Sequence, residues 1–415
     1  MNAEIKKLLQ KNKKDAVNLL AGLIRFPSLR GRELKAQLYL KKRLDALSSC
    51  DSFLAPINDA VKTDRDYAFD VPGLTYKRSP NLVVLRKGKG CGRSVILNAH
   101  IDVVSAEKWP AAFQPRVKGG FMHGRGACDD KGNIVVVYLA LKILEELGLM
   151  LDGDLTVQVV VDEEAGGNGT LALIKAGYKA DGAVVLEPTE MDIHPAVRGA
   201  VWFRITCEGK SAHSGMSGVS AIEKAFEAME ILKKYRKKLA WVSRGNPYFK
   251  DYDGLTPLNI GVIRGGEWPS TVAPQAVMEG MIGFLTNKRK TQVMNELRRE
   301  LKTSGSQWLR DHHEIQFPML NNDAYEIPAD EPLVRTMESS CQAAGVGPEI
   351  KGMPVSCDAW LYKHRANMPV IVFGAGSLNH THCDDERIEI NCIMKAAEIL
   401  TMFLIKWCGC SSLKK

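Results

Sequence analysis

Five short clusters of acids and histidines carry the chemistry legible in this chain, and each follows an apolar run. Asn98-Ala99-His100-Ile101-Asp102 comes after Ser94–Leu97. A neutral imidazole binds a divalent metal through one ring nitrogen, and an acid two residues on can take the other N–H and fix the tautomer. The same pair equally suits a satisfied structural histidine. Gly124-Arg125-Gly126-Ala127-Cys128-Asp129-Asp130-Lys131-Gly132 brings acids to a helix start, where Asp129 or Asp130 serves as a cap or as a ligand. Asp162-Glu163-Glu164 stands directly after Val157–Val161. Three successive acids at a buried strand end repel one another and require a cation or a shared proton, unless the segment is a surface turn. Adjacent glutamates allow a division of labour, one ligating a metal and its neighbour acting as general base on water. Glu187-Pro188-Thr189 follows Ala183–Leu186, and His380-Thr381-His382-Cys383-Asp384-Asp385-Glu386 follows a strand ending at Phe373 and a Gly374–Gly376 turn. Any one cluster has a bland explanation; five at five strand ends exceed what helix capping explains.

Such clusters function only if the elements before them converge. Ligands in α/β folds bind at the carboxyl ends of strands. Ser94–Leu97, Leu155–Val161, Ala183–Leu186 and Pro369–Phe373 read as short buried strands, and Ile5–Phe26, Ile134–Leu147 and Ile393–Ile405 as helices. This alternation predicts an α/β/α domain with a central, mostly parallel sheet. The pattern changes near Gly199. Strands at Ala200–Cys207, Leu258–Ile263, Val277–Leu285 and Glu314–Leu320, with helices at Gly218–Lys238 and Lys288–Leu301, give the order βαββαβ of a small two-layer domain. The expected organisation is a catalytic α/β domain of residues 1–198 plus 323–415, interrupted by an inserted domain of residues 199–322.

Bulk properties narrow the class. The 415 residues are 45% hydrophobic and 25% charged, an ordinary globular mixture long enough for about two or three domains. The net charge is +8, and the densest basic run, Lys233, Lys234, Arg236, Lys237 and Lys238, is read as a solvated helix face rather than a nucleic-acid patch, because no recognition motif accompanies it. None of the ten cysteines forms a CxxC pair, which argues against a zinc knuckle and for a reducing, cytoplasmic compartment. No apolar run approaches a membrane span, and no secretory signal is evident. Lys87-Gly88-Lys89-Gly90-Cys91-Gly92 lacks the spacing of a dinucleotide fingerprint and is expected to be a hairpin turn.

Taken together, His-x-Asp, Gly-Arg-Gly-x-x-Asp-x-Lys-Gly, Asp-Glu-Glu, Glu-Pro-Thr and His-x-x-Asp-Glu, in this order over nearly the whole chain, resemble one metallopeptidase family. It is the family of acetylornithine deacetylase and succinyl-diaminopimelate desuccinylase, which also holds aminoacylases and glutamate carboxypeptidases. The resemblance implies two divalent metal ions, zinc first, with cobalt or manganese also compatible. His100, Asp129 and Glu187 would hold one; Asp129, Glu164 and His382 would hold the other, with Asp129 bridging. Glu163 would be the general base, and Asp102 would orient His100. Gly209-Lys210-Ser211-Ala212-His213-Ser214 in the inserted segment is similar to an element whose histidine stabilises the oxyanion, often in a partner's site, so His213 takes that role. The inserted segment resembles a lid and dimerisation domain, which implies a homodimer.

Two departures bear on the substrate. Members of the family carry arginines where this chain has Met281 and, in Cys357-Asp358-Ala359-Trp360, Trp360. Neither side chain can grip a carboxylate. Ser270 stands where asparagine is frequent in a substrate-side loop, and Ser270, Met281, Asp358 and Trp360 are the expected substrate contacts. The implied reaction is deacylation of an N-acyl amino acid or related N-acyl compound, and the two departures point to an uncharged, apolar or aromatic substrate portion. A dipeptidase or carboxypeptidase using the same metal chemistry is the nearest alternative, and a non-catalytic interaction homologue is the alternative from another class. Neither nucleic acid nor membrane is an expected partner.

Overall fold

A computed structural model describes residues 1–69, 71–250, 252, 254 and 256–412. Val95–His100 and Leu155–Val160, rich in β-branched and aliphatic residues, are buried nearly throughout and pair in parallel from Val95↔Leu155 to His100↔Val160. Burial on both faces is what a continuous apolar strand demands. Ala183–Val185 pairs in parallel on the other side of Val95–His100, and Val370–Val372 pairs in parallel with Ala183–Val185. These four are the centre of a sheet with nine strands among the described residues. Its flanks turn antiparallel, through Asn81–Arg86 and Asp51–Ala55 on one side and Ile193–Val197 on the other.

Helices cover both faces. Asn2–Ile24, Lys131–Glu146 and Ile390–Cys408 pack on one another and share one core with the strands. Lys131–Glu146 is buried along most of its length because Ile134–Leu144 is apolar almost all round. On the opposite face Val83 and Val160 meet Leu173 of the helix Asn168–Lys175, which packs on Ala359–Arg365. The result is the expected α/β/α arrangement.

A second sheet begins at Gly199. Its strands lie in the order Leu258–Gly265, Gln275–Phe284, Gly199–Glu208, His313–Gln316, all antiparallel. One face alternates into a separate core where Phe203, Ile205 and Met278 meet Leu232 of the helix Ala221–Val242 and Leu297 of Lys290–Ser304. The Ser220 hydroxyl caps the first of these helices by accepting the Glu223 N–H at 3.4 Å. Lys233, Lys234, Lys237 and Lys238 are exposed on that helix while Tyr235 and Leu239 point inward, as a solvated face requires.

The hairpin expected at Lys87–Gly92 is not one. The strands on either side of it, Asn81–Arg86 and Val95–His100, are separated by Leu155–Val160. The loop instead docks its N–H groups on Leu151 and Asp152 carbonyls. Pairing with a strand distant in sequence displaced the local turn. No described helix is long and apolar enough to cross a membrane.

Candidate metal centre

His100 is the last residue of its strand, Asp162–Glu164 follow the neighbouring one, and Glu187 follows Ala183–Val185. Parallel register puts all three strand ends at one edge of the sheet. Asp129 reaches this edge from the turn before Lys131–Glu146, and His382 from the loop after Val370–Val372. Asp129 lies between the two histidines. Its Oδ1 is 2.9 Å from His100 Nε2, and its Oδ2 is 3.2 Å from His382 Nε2. His382 Nε2 is also 3.1 Å from Glu164 Oε2. Potential ligand atoms of His100, Glu163 and Glu187 fall within 4.8 Å of one another, as do those of His100, Asp129 and Glu164. Backbone strain marks the same edge: Asp162 and His382 adopt left-handed conformations, with φ of 65° and 54°.

The charges in this cluster are out of balance. Burial, joined by Asp358 and Glu187, pushes the Glu163 carboxyl well above the usual carboxylate range. Burial and the Asp129 charge do the same to Glu187 and, less strongly, to Glu164. Asp129 is held low against its burial by its contacts with His100 and His382. Hydrogen bonding to Asp129 and Glu164 raises the His382 imidazole to about 11. Packed carboxylates of this kind draw in protons, and a divalent cation satisfies the same charge. Two imidazoles among carboxylate oxygens form a donor set that suits zinc, cobalt or manganese.

The profile of peptidase family M20/M25/M40 matches residues 96–406, which span every residue of this cluster. The chain belongs to this family. A deformylase of Bacillus subtilis (strain 168), named for N-formyl-4-amino-5-aminomethyl-2-methylpyrimidine, is 30% identical over 372 residues, 80% of this chain and 84% of the relative. The acetylornithine deacetylase of Myxococcus xanthus is 28% identical over 340 residues, 79% of this chain and 84% of its own. Among solved structures, a di-peptidase from Saccharomyces cerevisiae superposes with a TM-score of 0.78 over 98% of both chains at 13% identity, a likeness of fold. This member of the peptidase family is a hydrolase of amide bonds.

Several residues that support the centre have no role assigned from sequence. Glu386 is fully buried; its Oε1 accepts the Cys128 and Asp129 N–H groups at 2.9 and 3.1 Å, and its Oε2 accepts from Arg125 at 2.7 Å. That pair fixes the turn presenting Asp129. Asp162, first of the three acids, is not available as a ligand: its Oδ2 accepts from Tyr76 and Asn168, both at 2.7 Å, and from Arg30 at 3.1 Å. The motifs contain Arg125, Asp162 and Glu386, so the signal is present in the sequence. Their partners are not near them: the two arginine pairs span 132 residues or more.

Some expected roles are redrawn. The Asp102 backbone carbonyl is the nearer acceptor for His100, 3.0 Å from Nδ1, while the Asp102 carboxylate stands at 3.6 Å and accepts the Glu164 N–H. Asp358 is not a substrate contact. It is fully buried, accepts the Thr170 hydroxyl at 2.5 Å, and belongs to a chain of Asn98, Tyr362 and Gln158 side chains. Its carboxyl is raised to about 7, chiefly by burial. Trp360, 2% exposed, lies under Lys290, whose Nζ is 4.2 Å from the ring centroid. Met281 sits mid-strand in the second sheet, between Trp202 and Asn259. His213 and Ser270 share a loop pair of that sheet, through the His213↔Thr271 bridge and the Ser214 N–H to the Ser270 carbonyl. His213 is exposed there, and among the described residues its ring accepts the Gly215 N–H rather than bonding to a member of the metal cluster.

Proposed function

We propose that this hydrolase removes a formyl or other small acyl group from an uncharged amine-bearing compound. Two divalent ions, zinc first, would be held by His100, Asp129, Glu187, Glu164 and His382. The observation that carries the reading is Asp129, with one carboxylate oxygen turned to each histidine. Bound ions of this kind polarise a scissile carbonyl and lower the pKa of a coordinated water. Glu163 takes a proton from the attacking water on its carboxylate and hands it to the departing amine nitrogen. His100 is kept in the metal-binding tautomer by its Nδ1–H donating to the Asp102 carbonyl.

The substrate class rests on what the chain lacks at the positions of the resemblance. Met281 and Trp360 supply no guanidinium for an α-carboxylate, and the compound in the name of the Bacillus subtilis relative has none. Residues 199–322 act as lid and dimer contact, and residues 1–198 with 323–415 as the catalytic body. The exposed His213, whose ring bonds to Gly215 and not to its own metal cluster, supports a homodimer in which it serves the other copy's site. Ten free cysteines support a reducing, cytoplasmic location.

Metal content and hydrolysis are measured on the natural chain and on Glu163→Gln, with an N-formyl aminomethylpyrimidine, N-acetylornithine and a dipeptide as substrates. About two metals in both proteins, with turnover of the formyl compound lowered at least about 100-fold in the variant, is the expected outcome. A natural chain that holds no metal after reconstitution would sink the mechanism. Faster turnover of N-acetylornithine or the dipeptide would sink the substrate class and leave the chemistry standing.

A further inference from the structure

A cavity of about 580 Å³ opens between the α/β body and the insertion, and none of the metal-cluster residues lines it. That volume suits a small-molecule site. Its walls carry five cations and two acids: Arg65 and Arg365 from the body and Arg289, Lys290 and Arg298 from the insertion, against Asp66 and Asp323. Both acids are already engaged. Asp66 pairs with Lys290 Nζ at 2.6 Å and with Arg365, and Asp323 pairs with Arg289 Nε at 2.9 Å. Two guanidinium groups are left with little compensation. Arg65 Nε stands 3.7 Å from the twice-paired Asp66, and the Arg298 guanidinium donates to the neutral Asn295 and lies 4.8 Å over the Phe317 ring. Arg289 adds to the crowding, with Nη1 at 3.0 Å from His364 Nδ1.

Trp360 completes the wall, its side chain buried beneath the Lys290 ammonium. Surplus cations in a concave site concentrate anions, and guanidinium forks match phosphate and carboxylate oxygens.

We propose that this cavity binds a small di- or trivalent anion, a phosphate ester or a polycarboxylate, through Arg65 and Arg298. Arg65 belongs to the body and Arg298 to the insertion, so the ligand ties the two parts together. Neither arginine is used in the hydrolysis proposed above.

Calorimetry on the metal-loaded protein tests it, with fructose 1,6-bisphosphate as the phosphate probe and tricarballylate as the carboxylate probe. Saturable binding of one probe at one site per chain is expected, and the probe that binds names the class. Arg65→Glu and Arg298→Glu should each weaken binding tenfold or more. Lys237→Glu, on the exposed helix face, should leave it unchanged. Both arginines are exposed, so their variants should keep natural metal content and basal amide hydrolysis. The proposal is overturned if neither probe saturates, if Arg298→Glu binds as the natural chain does, or if Lys237→Glu weakens binding equally.

Discussion

Glu386 illustrates how much of this site is built behind its ligands. Its carboxylate is fully buried, paired with Arg125, and bonded to the N–H groups of Cys128 and Asp129. Removing one partner of a buried ion pair leaves the other charge uncompensated, at a cost of about 3–5 kcal/mol. Glu386→Ala should therefore lower the unfolding free energy by about that amount in denaturant titration, and lower metal affinity by freeing the Asp129 turn. Glu33 makes a pH prediction. It is fully buried, accepts from Ser79 and from the Gly31 N–H, and burial with the nearby Asp102 charge lifts its carboxyl to about 8. An acid whose folded pKa exceeds its unfolded value favours folding while protonated. That contribution is complete below about pH 4.5 and is lost as pH rises through about 8. Each tenfold change in a protonation equilibrium is worth about 1.4 kcal/mol, so Glu33→Gln should gain roughly 2 kcal/mol or more on the natural chain between pH 5 and pH 8. Thermal melts at the two pH values check this, and an unchanged difference between them would refute it.

Between elements, the tight point is the junction of Asp162–Glu164 with the helix Asn168–Lys175. Gly167 caps that helix in a left-handed conformation, φ 81°. A Cβ there would stand 2.2 Å from Asp358 Oδ1 and 3.0 Å from Leu361. The helix Ala359–Arg365 can thus approach the catalytic loop only because residue 167 has no side chain. Gly167→Ala should cost about 2 kcal/mol or more, since the left-handed conformation alone accounts for about 1–2 kcal/mol. It should also lower the hydrolysis rate, because the Asp358 charge acts on Glu163 and would be displaced. Unchanged melting and unchanged rate together would show that this junction yields easily.

For the whole molecule, the metal cluster ties together segments from residue 100 to residue 382. Cations that bind there only in the folded state stabilise it by mass action, roughly 3 kcal/mol at a hundredfold excess over Kd. A chelator should lower the melting temperature and added zinc should restore it. If melting is indifferent to both, the cluster holds no metal in solution.

The sequence by itself determined the alternation of buried strands and helices, the second βαββαβ unit, and the placement of acids and histidines at strand ends. Those features are local: period, burial and strand-end position are written in neighbouring residues, so His100, Glu164, Glu187 and His382 stand out before any fold is known. Only the tertiary structure decided that Leu155–Val160 separates Asn81–Arg86 from Val95–His100, turning the expected hairpin at Lys87–Gly92 into a crossover. It also decided that Arg125 meets Glu386 across 261 positions, and that Asp358 is sealed beneath Gly167 rather than turned to a substrate. Each of these depends on which distant surface comes to lie against a residue. That is settled by the packing of whole elements, and no window of neighbouring residues contains it.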